Sequence, residues 1–250
     1  MSFSIKLGNF LFKHAFVLYK PMYALFKNKQ DAFEIELLQT HIRKGDTVLD
    51  IGANIGYYAT ILAELVGENG QIHCFEPDTR NFEHLQKACG KKNNITLNQR
   101  AVGPRTETIK IYTSKNLNVD HRTYEPEDYD AVMDVKAVSI DDYVRTKNLS
   151  SVHFIKMDIQ GFEMQALEGM QETLKLNPQV QLISEFWPYG LKKAGSSLSA
   201  YYQRLVELGW KCYLLDKGKL KALDMEQVKA LEPLGEAHYF NIFATRANVH

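Results

Sequence analysis

Carboxylates stand at the ends of several apolar runs in this chain, and their spacing suits a ligand that carries a cation and a diol. Thr47-Val48-Leu49-Asp50-Ile51 reads as a buried strand and runs into Gly52-Ala53-Asn54-Ile55-Gly56. Gly52 and Gly56 lack side chains, so backbone there can approach a ligand closely. The spacing is G-x-x-x-G, not the G-x-G-x-x-G of a dinucleotide turn, so a pyrophosphate is poorly matched. Asp50 sets a carboxylate at the loop entrance, suited to an amino or sulfonium group. Glu76, in Phe75-Glu76-Pro77-Asp78, follows Gly52 by 24 residues. An acid about twenty residues beyond a glycine turn is where one carboxylate takes both hydroxyls of a ribose. The plainer alternatives are an ordinary strand-to-helix turn and an acid stabilised by a helix dipole, which suits Asp78 better than Glu76. The pair of signals is more specific than either alone.

Further along lies Ile155-Lys156-Met157-Asp158-Ile159-Gln160-Gly161-Phe162-Glu163. If a proton must leave an acceptor, the candidate bases are His121, Asp158, Glu163 and Glu185. His121 falls in a polar stretch, Asn116 to Tyr129, and a neutral imidazole accepts protons near neutral pH. Arg122 beside it could bind an acidic sugar or a phosphate. A solvated loop accounts for both equally simply. Asp158 and Glu185 end neighbouring strands and could share Mg2+, or Asp158 could orient an acceptor; no metal is assigned. Trp187, Pro188 and Tyr189 offer either a sugar-stacking wall or closure of the core. His41, His73, His84 and His153 lack metal-ligand spacing. No G-x-S-x-G, Walker loop or H-E-x-x-H is present, which excludes the hydrolase, P-loop and zincin classes.

The elements that must position these residues alternate between strand and helix, which implies a parallel sheet with helices on both faces. Strands are expected over 47–51, 71–75, 95–102, 106–113, 135–140, 154–159, 180–186, 211–215 and 238–244. The chain has 250 residues, 45% hydrophobic and 24% charged, an ordinary globular composition. Formal net charge is zero, so bulk attraction to nucleic acid is not expected. No run of eighteen apolar residues predicts a membrane span. Cys74, Cys89 and Cys212 are far apart, which fits a reducing compartment. Residues 1–30 form a basic, aromatic arm with five lysines and no acid, leaving the remainder at minus five. Pro21 is expected to divide the arm into two short helices. Such an arm packs on the core or on a second subunit, or lies on a membrane surface.

Taken with Arg100-Ala101-Val102-Gly103 and Asp120-His121-Arg122, these segments resemble the FkbM-type family of S-adenosylmethionine-dependent methyltransferases across roughly residues 34–190. Gln160 stands where that family typically has Glu, and Val119 where related sequences often have Gly. The resemblance implies a Rossmann-like α/β fold of the class I methyltransferase type: a seven-stranded, mostly parallel sheet, helices on both faces, the last strand antiparallel. It implies that Asp50, Gly52, Asn54 and Gly56 surround the methionine part and that Glu76 takes the ribose. Arg100 and Ala101 would lie along the adenine edge, and Asp158 would face the methyl-transfer site. Glu34 would reach the cofactor's amino group, although Asp31-Ala32-Phe33-Glu34 also reads as a helix cap. The expectation is a methyltransferase domain at 31–250 after the arm at 1–30. It would be cytoplasmic or peripheral at the membrane and act on a hydroxyl of a sugar, glycan or secondary metabolite, with His121, Asp158 and Arg122 at the reacting end. A homodimer and membrane-surface contact through the arm are open. So are N-methylation of a small molecule and a non-catalytic binding module. An NAD-dependent oxidoreductase fits the glycine spacing less well.

Overall fold

The computed structural model describes residues 8, 10–12, 14–113, 121–122, 129 and 131–247, with backbone alone at 113 and 121–122. In chain order the first elements are helices α1 (Phe16–Gln30) and α2 (Ala32–His41), strand β1 (Thr47–Ile51), α3 (Tyr57–Val66), β2 (Gln71–Phe75), α4 (Thr79–Cys89) and β3 (Ile95–Asn98). A more irregular stretch follows: β4 (Ala101–Val102), β5 (Thr108–Thr113), β6 (His121–Arg122), β7 (Ala131–Val138) and α5 (Ile140–Lys147). The chain then runs through β8 (Phe154–Met157), α6 (Glu163–Glu168), α7 (Gln171–Leu176), β9 (Gln181–Phe186), α8 (Pro188–Lys193) and α9 (Leu198–Glu207). Strands β10 (Lys211–Asp216) and β11 (Lys219–Ala222), helix α10 (Met225–Leu231) and strand β12 (Phe240–Thr245) complete it.

Eight strands form the central sheet, in the order β11-β10-β12-β9-β8-β1-β2-β3. The five strands β3, β2, β1, β8 and β9 run parallel. The last strand, β12, is antiparallel to both its neighbours, β9 and β10. One strand more is present than expected, because β10 turns back on itself into β11. The turn is Lys217-Gly218, both at positive φ (48° and 77°), which matches the twist of a two-residue hairpin. A small second sheet, β4-β7-β5-β6, lies apart from it.

Each central strand alternates between two cores. Leu49, Ile51, Ile155 and Met157 face one, with Leu167, Tyr201 and Trp210. Val48 and Phe154 face the other, with Leu38, Tyr58 and Leu62 from α2 and α3. The alternation sends Asp50 and Lys156 toward that second face, and the register sets them opposite each other on adjacent strands.

Three local expectations change. The stretch 95–102 is two strands in different sheets, because the chain turns at Arg100, whose N–H returns to the Asn98 carbonyl at 2.9 Å. The strand expected to reach 140 stops at Val138, and Ser139 Oγ caps α5 by accepting from Asp142 N. Pro21 lies inside α1 without breaking it; the break falls at Ala15, which is at φ −145°. The carbonyl that Pro21 leaves without an N–H belongs to Val17, and both residues are on the exposed side, where solvent can serve it.

Helix α5 joins the sheet through Tyr143, whose hydroxyl lies 2.8 Å from His73 Nδ1 and accepts from Asn98 Nδ2 at 3.1 Å. Burial lowers His73 to about 4, so the ring is neutral. Tyr143→Phe is expected to lower unfolding stability by about 1–3 kcal/mol in urea titrations, since the buried His73 and the half-buried Asn98 each lose a partner.

Candidate active site

A cavity of about 790 Å³ opens beyond the carboxyl ends of β1, β2, β8 and β9. This is where ligands bind in parallel sheets. Of the residues singled out in the sequence, Gly52, Asn54, Glu76, Arg100, Ala101 and Asp158 line it. Helix α1 supplies Tyr23 and Lys27 to its wall, and the β9 end supplies Glu185 and Trp187.

Glu76 is 5% exposed and holds two turns at once. Its Oε2 accepts from Asn54 N and its Oε1 from Asp78 N, both at 2.9 Å. Asn54 takes the left-handed conformation (φ 50°), and its own Oδ1 accepts from Ile55 N. Burial pushes Glu76 up to about 8, with the Asp78 and Asn54 N–H groups opposing the shift. Asp78 caps α4, accepting from Asn81 N at 2.8 Å.

Asp50 does not line the cavity. It is fully buried, and neither carboxylate oxygen has a hydrogen-bond partner. Burial raises it to about 6, against the pull of Lys156. Gly56 is also elsewhere: a Cβ there would meet Leu85 Cδ1 at 2.9 Å, so this glycine packs α3 on α4. Glu34 faces a separate cavity of about 20 Å³ that it shares with Lys156, Asp158, Glu185 and Asn241. Asn241 Nδ2 donates to Glu34 Oε2 at 2.6 Å. Asp31 makes no side-chain cap hydrogen bond at α2; it pairs with Lys27 and accepts from Tyr58 OH at 2.7 Å.

Lys156 is a charged residue of the cavity that the sequence reading did not single out. It is 4% exposed, lines both cavities, and carries its ammonium 3.7 Å from Asp158 Oδ2 and 4.4 Å from the Tyr58 ring centre. Its signal was available as a charged residue inside an otherwise apolar central strand.

Gln160, in the left-handed region at φ 58°, donates from Nε2 to Asp158 Oδ1 at 3.0 Å and to Glu185 Oε2 at 3.3 Å. Its amide thus lies between the two acids considered for Mg2+. Among the described residues, no group of three or more His, Cys, Asp or Glu side chains could hold a metal ion. Glu163, pushed up to about 7 by burial, accepts from Ile159 N at 3.0 Å and fixes the turn after β8. Trp187 donates from Nε1 to the Glu236 carbonyl at 3.0 Å. His121 and Arg122 pair with Thr113 and Tyr112 as backbone. Their side chains, and most of the stretch 116–129, lie outside the described residues.

The sheet order and the position of the cavity define a class I methyltransferase fold. A protein from Streptococcus mutans crystallised in complex with SAH superposes with a TM-score of 0.50 at 10% identity, over 86% of this chain and 96% of that one. The methyltransferase FkbM domain matches residues 50–209, and the chain belongs to that family. The 2-O-methyltransferase NoeI of Sinorhizobium fredii is 28% identical over 142 residues, 51% of this chain and 58% of that protein. The hexuronic acid methyltransferase AglP of Haloferax volcanii is 24% identical over 149 residues, 60% of this chain and 59% of that protein. The chain therefore spans less than two thirds of each of these relatives.

The Glu76 environment makes stability depend on pH. The folded state keeps a proton on Glu76 up to about 8, whereas the group's ordinary value is 4.5. Its contribution is complete below the ordinary value and is lost as pH rises toward 8. In the absence of ligand, melting temperature should fall between pH 5 and pH 8, and Glu76→Gln should flatten that slope in thermal melts.

Proposed function

We propose that the chain transfers a methyl group from S-adenosylmethionine to a hydroxyl of a sugar or glycan. The observation that carries this reading is the split of acids around one cavity. Glu76 follows β2 and Asp158 follows β8, on either side of β1, and the unpartnered Asp50 carboxylate lies behind the glycine turn. The donor set fits the ligand. Glu76 retains lone pairs for a ribose diol after its two backbone bonds, Arg100 and Ala101 would flank the adenine, and Gly52 and Asn54 would border the methionine part. Asp50 supplies negative charge toward the amino end. Buried outside the cavity, Asp50 would act on a cationic ligand through its charge and not through a hydrogen bond.

Bound S-adenosylmethionine supplies a methyl already activated on a sulfonium. The chain's remaining work is alignment, which is worth roughly 7–11 kcal/mol in favourable cases. Asp158 is held from two sides, by the Gln160 amide and the Lys156 ammonium, so its carboxylate has a fixed direction. It would accept the acceptor hydroxyl's hydrogen bond and its proton, a contribution of about 10²–10⁴-fold for a positioned base. His121 is proposed as a second group at that end, with Arg122 facing an acidic acceptor. The printed names of NoeI and AglP, a 2-O-methyltransferase and a hexuronic acid methyltransferase, support a sugar acceptor. Residues 31–250 are read as the methyl-transfer unit and 1–30 as its arm.

Calorimetric titration with S-adenosylhomocysteine, with NAD⁺ in parallel, tests the cofactor. Micromolar binding, about −8 kcal/mol, is expected in the wild type and a loss of at least tenfold in Glu76→Ala. Binding of NAD⁺ alone would overturn the reading. With neutral and uronic glycosides as acceptors, Asp158→Asn should keep S-adenosylhomocysteine affinity and lose about 10²–10⁴ in kcat. Unchanged turnover would remove Asp158 from the reaction.

A further inference from the structure

Helix α1 is apolar on both sides. Its inner side carries Phe16 stacked on His84, Tyr19 stacked on Tyr23, and Tyr23 edge-on to Tyr57. Tyr23 and Lys27 then reach the cavity wall. Its outer side is occupied by Val17, Leu18, Met22, Leu25 and Phe26, which are 86%, 60%, 53%, 72% and 63% exposed. With the exposed Pro21, these positions recur in adjacent pairs every four residues, so they form one face along the helix. A continuous apolar face of this kind marks a contact surface, whereas scattered apolar residues do not.

Charge indicates the occupant. Lys20 and Lys29 are the exposed charges of α1, and residues 1–30 contain no acid at all. A second copy docked through the same face would cover Lys29, which continues that face one turn beyond Leu25, and residues 1–30 offer no acid to meet it. An anionic bilayer surface meets both features. Apolar side chains enter the acyl boundary while lysines stay with the headgroups. Among the described residues, no helix is long and apolar enough to cross a membrane, so the contact would lie in the surface plane.

We infer that the outer face of α1 binds anionic lipid surfaces, which sets the cavity wall formed by its inner face alongside the bilayer. The test is co-sedimentation of the full chain with phosphatidylglycerol–phosphatidylcholine vesicles and with phosphatidylcholine alone, at low and high salt. The wild type should pellet with the anionic vesicles and at least tenfold less with the neutral ones. The variant with both Leu25→Glu and Phe26→Glu should lose binding by more than tenfold while keeping wild-type helicity in circular dichroism. The variant with both Lys20→Gln and Lys29→Gln, which leaves the apolar face intact, should weaken it roughly fivefold per lysine and reduce the salt dependence. Absence of wild-type binding, or wild-type binding by the glutamate variant, would overturn the inference. So would a dimer in light scattering that the glutamate variant dissolves without any vesicle binding. The readout needs neither methyl donor nor acceptor, so its failure is separate from failure of the methyl-transfer reading.

Discussion

At the carboxyl end of a central parallel strand, Lys156 is 4% exposed, a place where an ammonium persists only in the company of acids. Burial would strip its proton, but Asp158, Asp50 and Glu34 together hold it charged. The dependence runs both ways. Lys156 is the charge that opposes the desolvation of Asp50 and, together with Lys27, that of Glu34. The same ammonium lies over the Tyr58 ring, so α3 closes over the cation as well as over the apolar core. Strands β1 and β8, helices α2 and α3, and both cavities thus share one electrostatic centre. Its formal charge, two cations (Lys156 and Lys27) among Asp31, Glu34, Asp50 and Asp158, leaves the region negative.

On the proposed reaction that negative field has a definite use and a definite limit. Positive charge on a sulfonium disperses as a methyl leaves it. Acids close to the sulfur would therefore stabilise the ground state more than the transition state and slow the transfer. Asp50 and Glu76 avoid this by lying at the ends read as amino and ribose sites, where binding is the same before and after transfer. The acid able to influence the rate is the one at the acceptor end, Asp158. Lys156 and Gln160 both hold it there, so its orientation is set before any acceptor arrives.

What the sequence made legible was local. The glycine turn, Glu76 and Asp158 each sit at a strand end, and strand ends converge in any parallel sheet, so their meeting followed from alternation alone. What it hid depended on partners distant along the chain. Glu34 read as a cofactor-binding acid or a helix cap because Asn241, 207 residues away, could not be foreseen as its partner. Lys156 read as part of a motif because its acids come from β1, α2 and the turn after β8. Strand β11 was missed because Lys217-Gly218 lacks the Asn-Gly signature and the strand itself, Lys-Leu-Lys-Ala, is largely polar. Pro21 was given more weight than an exposed helix position warrants.

Gly52 lines the cavity, and its missing side chain has a reason in the fold itself. Its absent side chain was read as room for a ligand. In the structure a Cβ there would fall 2.0 Å from the Asp158 carbonyl oxygen, at φ 85°. The glycine therefore lets the turn after β1 rest directly on the turn after β8, where Asp158 N also donates to the Ile51 carbonyl at 3.0 Å. One turn borders the space read as the methionine site, and the other carries the acid at the acceptor end. On the proposed reaction, their contact would fix the distance between donor and acceptor through backbone alone. In an in-line transfer, a displacement of about 1 Å can cost two orders of magnitude in rate. On that proposal the turn glycine would serve alignment of the reaction before it serves binding of the cofactor.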